Sequence, residues 1–320
     1  MKLKIIASVF FLLGILNAIL AQPVKEHGQL QVTGTQLTDQ KGKPLVLRGM
    51  SFGWSCFHPR FYTKGTVEWL YKDWGCNVLR AAMGIEPKNG YKQDSATNMQ
   101  LISTVVDAAI AQGIYVIIDW HSHNINLTEA NAFFKTMAAK YGKFPNLIYE
   151  LFNEPDQETW PEVKAYAETL IKTIRAIDPD NIILVGSPHW DQYINLPAAD
   201  PITGYKNLMY TMHFYAATHK QELRDRTSAA IKMGLPIFIS ESAGMDASGD
   251  KAIDDAEWQR WIDFAEANQL SWITWSVSDK DETCSVLQKS AASDGHWKSE
   301  DLKASGIKAR NLYRKYNLGK

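Results

Sequence analysis

Short apolar, β-branched runs recur along the chain, and the stretches between them carry apolar residues at helical spacing. The runs are Val46–Phe52, Asn77–Met83, Ile114–Trp120, Leu147–Phe152, Ile182–Gly186, Leu208–Phe214, Ile237–Ser240 and Ser271–Val277. Each has the length and composition of a buried strand. The intervening stretches include "MQLISTVVDAAIAQG" (Met99–Gly113), "EVKAYAETLIKTIRAID" (Glu162–Asp178) and "DDAEWQRWIDFAEANQ" (Asp254–Gln269). In the second, Val163, Tyr166, Ala167, Leu170, Ile171 and Ile174 share one helix face. The third opens on aspartates, where a carboxylate caps free amides. "AQGIYV", "KMGLPIF" and "ANQLSWI" each leave a helix for a strand through Gly or Asn, a C-cap placement. Ahead of this rhythm, "QLQVTGTQLTDQKGKPLVL" alternates apolar and polar residues around turn residues and reads as a hairpin. Strands alternating with helices and no linker predict an α/β chain: a single (β/α)8 TIM barrel with a short N-terminal β-hairpin. An open doubly wound sheet is the alternative. It would be favoured by a glycine-rich phosphate loop after the first strand, which "GMSFGW" is not.

The first residues have a different pattern. Lys2 and Lys4 precede an apolar run from Ile5 to Leu16, with Ala18 and Ala21 after it. This reads as a secretory signal over residues 1–21, leaving residues 22–320 as the barrel domain. A membrane anchor would need about 20 apolar residues, more than this run offers. The expected protein is secreted or periplasmic, free of the membrane once the signal is removed, and a monomer. The 320 residues are 45% hydrophobic with a formal net charge of −1. That balance gives no electrostatic case for nucleic acid or an anionic membrane. Three cysteines, Cys56, Cys76 and Cys284, form neither a disulfide framework nor a zinc pattern, and the spacing favours buried free thiols. Tryptophan is frequent, with 11 copies, several beside polar residues as in "DWH" and "PHWDQY", where an indole can serve as a platform for a sugar ring.

Barrel chemistry sits at the C-terminal ends of the strands. Those ends carry Arg80 in "LRAAM", His121 and His123 in "DWHSH", Asn153 and Glu154 in "FNEP", His213 and Tyr215 in "MHFYA", Glu241 in "ISES", and Trp275 and Lys280 in "TWSVSDKDE". Two glutamates on opposite sides of one mouth are what glycoside hydrolysis needs: one protonates the leaving oxygen while the other attacks the anomeric carbon. Arg80 and Tyr215 are placed to keep Glu241 ionised, and Asn153 to bond a sugar hydroxyl. Each residue alone has a structural reading, as an ion-pair partner, a strand-end carboxylate or a core aromatic. Together on one rim they are harder to explain as packing. "HSH" also resembles the first ligands of a metal-dependent barrel amidohydrolase, but the last strand supplies no aspartate at its end. No metal and no cofactor is expected. A non-catalytic sugar-binding barrel would share the tryptophans without needing both glutamates.

"IYELFNEP", "MHFYA", "IFISES" and "ITWSVSDKDE", in that order, resemble glycoside hydrolase family 5 endoglucanases, the retaining cellulases. "VTGTQLTDQKGKPLVLRGMS" and "NVLRAAM" look like the same group. The resemblance runs from about Leu30 to the C-terminus. It implies a double-displacement mechanism on a β-1,4-glucan, with Glu154 as acid/base and Glu241 as nucleophile. It implies Arg80, His121, Asn153, His213 and Tyr215 around the bond-breaking subsite, Trp275 as a sugar platform, and Lys280 on the non-reducing side. It also implies a cis peptide bond between Trp275 and Ser276. "SFGWSCFHPRFY" departs from the His-Gly-Leu-Gln-Trp type of segment in many relatives, so no role passes to Trp54 or His58. Mannan, xyloglucan and mixed-linkage glucan remain alternative substrates.

Overall fold

The apolar runs become eight parallel strands that close on themselves in the order β10-β3-β4-β5-β6-β7-β8-β9. The barrel strands are β3 (Arg48–Phe52), β4 (Val78–Gly84), β5 (Tyr115–His121), β6 (Leu147–Glu150), β7 (Ile182–Val185), β8 (Leu208–Tyr215), β9 (Ile237–Ala243) and β10 (Trp272–Val277). The antiparallel hairpin is β1 (Gln31–Thr33) with β2 (Gln36–Thr38). The computed structural model describes residues 22–319. The expected signal segment lies outside the described residues. Among the described residues, no helix is long and apolar enough to cross a membrane.

The helices follow the periodic stretches. They span Ser95–Gln112, Trp160–Arg175 and Asp255–Ala267 where the three quoted segments predict them. Asp254 caps the last of these, its carboxylate accepting from Glu257 N–H at 3.1 Å. Gly113 ends the first in the left-handed region (φ 71°) that an L side chain rarely adopts.

Strands buried on both faces read as continuous apolar runs, and the structure sorts them into two sets. Leu79, Val116, Ile118, Tyr149, Ile183 and Ile239 pack outward under the helices. Val78, Ile117, Ile148, Leu184, Met209, Phe238 and Ile273 point inward, and Leu30 and Leu37 from the hairpin region pack with them at the N-terminal end. Above this apolar floor the inward positions change character: Arg80, Asp119, Glu150 and His213 are all buried there.

Two irregularities re-aim the strand ends. Between Thr211↔Phe238 and His213↔Glu241, β9 inserts one residue more than β8. Between Thr274↔Met50 and Val277↔Phe52, β10 does the same against β3. Such bulges bend a strand and turn its next side chain. Phe238 points inward and Ile239 outward, so strict alternation would send Glu241 outward with Ile239. After the bulge Glu241 meets Arg80 inside the barrel instead. The second irregularity contains the cis peptide bond Trp275–Ser276 that the family resemblance implied.

Candidate active site

Arg80 is the hub. It is wholly buried, and its Nε donates to Glu150 Oε2 at 2.7 Å. Its Nη1 donates to Glu241 Oε2 at 3.0 Å and its Nη2 to Asn153 Oδ1 at 2.6 Å. Nη2 also lies 2.9 Å from Asp119 Oδ2. The rigid five-donor fork of an arginine can orient this many groups at once. Burial alone would ease loss of its proton, but the charges of Asp119, Glu150 and Glu241 outweigh that and hold Arg80 charged. Burial likewise opposes the charge on Glu150, yet Arg80 and the nearby His213 bring its pKa down to about 2.

Glu241 is held at both oxygens, by Arg80 at Oε2 and by the Tyr215 hydroxyl at Oε1, 2.7 Å away. Glu154 follows β6, where Asn153 N–H donates to Trp120 O and Glu154 N–H to Ser122 O, extending the β5 pairing past the strand end. Its Oε1 lies 2.9 Å from His213 Nδ1, and its Oε2 lies 3.7 Å from His123 Nδ1. One carboxylate oxygen from each glutamate and one His213 nitrogen lie within 4.8 Å of one another.

The two glutamates titrate in opposite directions. Burial pushes Glu154 up, but the hydrogen bond and charge of His213 outweigh it and hold the carboxyl below its usual range. Burial and then the charge of Glu154 raise Glu241, against Arg80 and Tyr215. The contacts expected of Arg80 and Tyr215 with Glu241 are present, while burial and the neighbouring carboxylate act against them.

His121 Nδ1 donates to Asp119 Oδ2 at 2.6 Å. Burial and the Arg80 charge push its pKa well down, so the ring is neutral. Trp275 stacks parallel to it at 5.0 Å between ring centres and is 8% exposed. Trp54 meets the same imidazole edge-on at 4.3 Å. Lys280 stands apart from this cluster, mostly exposed on the rim and paired with Glu282. His58 faces Asp279 at 3.4 Å, also on the rim.

Of the residues expected at the site, Arg80, His121, Asn153, Glu154, His213, Tyr215, Glu241 and Trp275 come together at one mouth, and Lys280 is exposed and paired with Glu282. Sequence reading missed Asp119, Glu150, Asp191 and Ser240. A signal for the first two exists: "YVIIDWH" and "LIYELF" place an acid inside a run buried on both faces, where it requires a partner. The metal reading receives no help from "HSH". Among the described residues, the group able to hold an ion is Glu154, His213 and Glu241, without His121 or His123. All three cysteines are free thiols. A cavity of about 610 Å³ lined by Gln31, Tyr205 and Met233 lies at the hairpin end of the barrel, away from the clustered acids.

Comparison with known proteins agrees with this geometry. The family model described as cellulase (glycosyl hydrolase family 5) matches residues 38–281. An endoglucanase of Clostridium saccharobutylicum is 41% identical over 88% of this chain, and endoglucanase Z of Dickeya dadantii is 39% identical over 92%. The chain spans 64% and 67% of the lengths of these two relatives. A solved structure from Cytophaga hutchinsonii superposes with a TM-score of 0.91 at 43% identity, covering 93% of this chain and 98% of that one. The catalytic domain of Thermobifida fusca endoglucanase Cel5A, in a variant complexed with cellotetraose, gives 0.87 at 32% identity, covering 92% and 99%. With the family model matching most of its length, the chain belongs to the cellulase family, glycosyl hydrolase family 5.

Proposed function

We propose that this chain is a retaining endo-β-1,4-glucanase, cleaving internal bonds of a β-1,4-glucan by double displacement. The observation that carries the reading is the approach of Glu154 and Glu241, oxygen to oxygen within 4.8 Å. Retaining enzymes hold their carboxyls about 5–5.5 Å apart, whereas inverting ones need roughly 6.5–9.5 Å to admit a water. Glu241 takes the nucleophile's role, because Arg80 and Tyr215 fix both its oxygens. Glu154 takes the acid/base role, because His213 Nδ1 lies 2.9 Å from its Oε1 and can exchange a proton with it.

In the first step Glu241 bonds to the anomeric carbon as Glu154 passes a proton to the departing glycosidic oxygen. In the second, Glu154 takes a proton from water, whose oxygen displaces Glu241. Moving the His213 proton to Glu154 supplies the acid. It also removes the Glu154 charge that opposes ionisation of Glu241. One transfer thus arms the acid and relieves the charge that presses on the nucleophile.

Asn153, oriented by Arg80, is placed to bond a sugar hydroxyl at the reacting ring, and Trp275 to lie under it. Lys280 takes a part at most in outer subsites, reached from the rim. A glucan is favoured over mannan, xyloglucan or mixed-linkage glucan by the endoglucanase relatives and by the cellotetraose bound to the Thermobifida domain. Lys2, Lys4 and the run Ile5–Leu16 support export with cleavage after Ala21. Proton NMR of the first-formed product tests the mechanism: the β-anomer is expected, and initial appearance of the α-anomer overturns it. Rates on a panel of soluble β-glycans test the substrate.

A further inference from the structure

Behind His213, on the side away from Glu154, lies a buried acid that the mechanism above does not use. Asp191 is fully buried. Its Oδ1 accepts from Ser187 N–H, while its Oδ2 has no hydrogen-bond partner. That oxygen faces His213 Nε2 at 3.3 Å. Burial, seconded by the Glu154 charge, pushes the Asp191 carboxyl well above its usual range, and the His213 charge, then the Ser187 N–H, pull it back toward ionisation, so Asp191 and His213 hold each other's charge as a pair.

The backbone goes to some length to put it there. His189, Trp190 and Asp191 all have positive φ, at 60°, 52° and 59°. Left-handed backbone is unfavourable for each such non-glycine residue. The turn is anchored by Trp190 N–H donating to Pro155 O, the residue after Glu154. Conformations of this kind persist where the surroundings enforce them, and they gather at functional sites.

We propose that Asp191 is a positioning residue for proton transfer: it holds a proton on the His213–Glu154 pair, so that the general acid stays charged with its proton as pH rises. The inference rests on the reading of Glu154 as acid/base. Asp191, His213 and Glu154 then form a line, with one carboxylate at Nε2 and the other at Nδ1. The other groups facing the imidazole are Ser240 Oγ at 2.9 Å from Nε2 and Glu150 Oε1 at 3.8 Å. Glu241 acts from further off, again favouring the charged ring. Glu150 is committed to Arg80, and Ser240 carries no charge, so Asp191 is the acid whose free oxygen is aimed at Nε2. Burial alone would strip the proton from His213. The Asp191 charge, followed by the nearby Glu150 carboxylate and the hydrogen bond to Glu154, reverses this and raises the ring well above its ordinary range.

The sign follows without deciding which atom of the pair carries the proton. A buried negative charge beside a pair that shares one proton delays loss of that proton. The alkaline limb of kcat/KM, which reports that loss, therefore lies higher with Asp191 than without it. Asp191→Asn is nearly isosteric, and its amide oxygen can still accept from Ser187 N–H.

The test is the pH profile of kcat/KM on a soluble β-glucan for wild type and Asp191→Asn. The variant's alkaline limb is expected to move to lower pH by about one unit or more, the size of shift a close charge produces. KM should change little, and the rate should recover as pH is lowered. A limb that stays in place overturns the proposal. NMR titration of the His213 ring gives a second reading that needs no activity. The wild-type ring should remain an imidazolium above the ordinary histidine range and lose its proton earlier in the variant. A ring already neutral at pH 6 in the wild type, with Glu154 ionised at the same pH, also overturns it. Glu154→Ala separates the two readings. If that variant fails to discriminate activated from unactivated leaving groups, the acid/base assignment falls, while the His213 titration still judges Asp191 by itself.

Discussion

Ile117 and Asp119 are neighbours on one face of β5, and they mark the boundary between two layers of the barrel interior. Below it, Ile117 packs with Val78, Ile148, Leu184, Met209 and Phe238. Above it, Asp119 shares Arg80 with Glu150, Asn153 and Glu241. The same strands supply both. The lower layer gains stability from area removed from water, which needs only volume and shape. The upper layer places at least three acids around one arginine, out of water. Such a network is retained for orientation and charge rather than for net stability. If the division is right, lesions above should act on turnover and lesions below on folding.

The largest effect is expected from Glu241→Ala. Turnover should fall at least about 10³-fold with folding intact, and azide should restore part of it by attacking in place of the carboxylate, giving an α-glycosyl azide. Absence of rescue, with rescue instead in Glu154→Ala, reverses the assigned roles. Glu154→Ala should lose roughly 10²–10⁴-fold on glucan, the worth of a positioned acid. It should retain far more on an aryl glycoside whose leaving group needs no proton. Equal losses on both substrates would falsify its role as acid.

Arg80→Gln bears on both layers. It leaves Asp119, Glu150 and Glu241 without their common partner, and breaking such a buried pair costs about 3–5 kcal/mol. Denaturant unfolding should register this alongside lost activity; a variant as stable as wild type would show that the hub is not holding the acids together. In the floor, Ile117→Ala should cost about 2–5 kcal/mol of stability while kcat on glucan stays within a few-fold of wild type. A collapse in kcat at constant fold would show that the layers are coupled.

The smallest effect concerns acid. The pKa of Glu150 is about 2 in the folded protein, below the roughly 4.3 of an unfolded glutamate. Its contribution to stability is then present above the unfolded value and lost as pH falls from there toward 2. His213 runs the other way: raised in the folded state, it stabilises below its ordinary range and loses that contribution as pH rises through its higher folded value. Glu150→Gln should flatten the acid arm of a stability-against-pH curve. An unchanged acid arm would place the titrating group elsewhere.

Much of this molecule is written in local pattern. Alternation of apolar runs with helical stretches is enough for the barrel, because each element must bury a face. It also limits the chemistry to strand ends, and that picks out Arg80, Asn153, Glu154, His213, Tyr215 and Glu241. What the pattern does not contain is parity at the bulges. On β9, strict alternation from Phe238 would turn Glu241 away from Arg80, and one inserted residue, set by pairing with β8, turns it back. Nor does it contain partners distant in sequence. Asp119 and Glu150 look like intruders in apolar runs until Arg80 is brought between them, and Asp191 sits in a loop whose left-handed turn no propensity predicts. Sequence determined which residues reach the mouth, since period and strand length are local. Tertiary structure decided which way they face and which charges they share, since both depend on neighbouring strands closing into one ring.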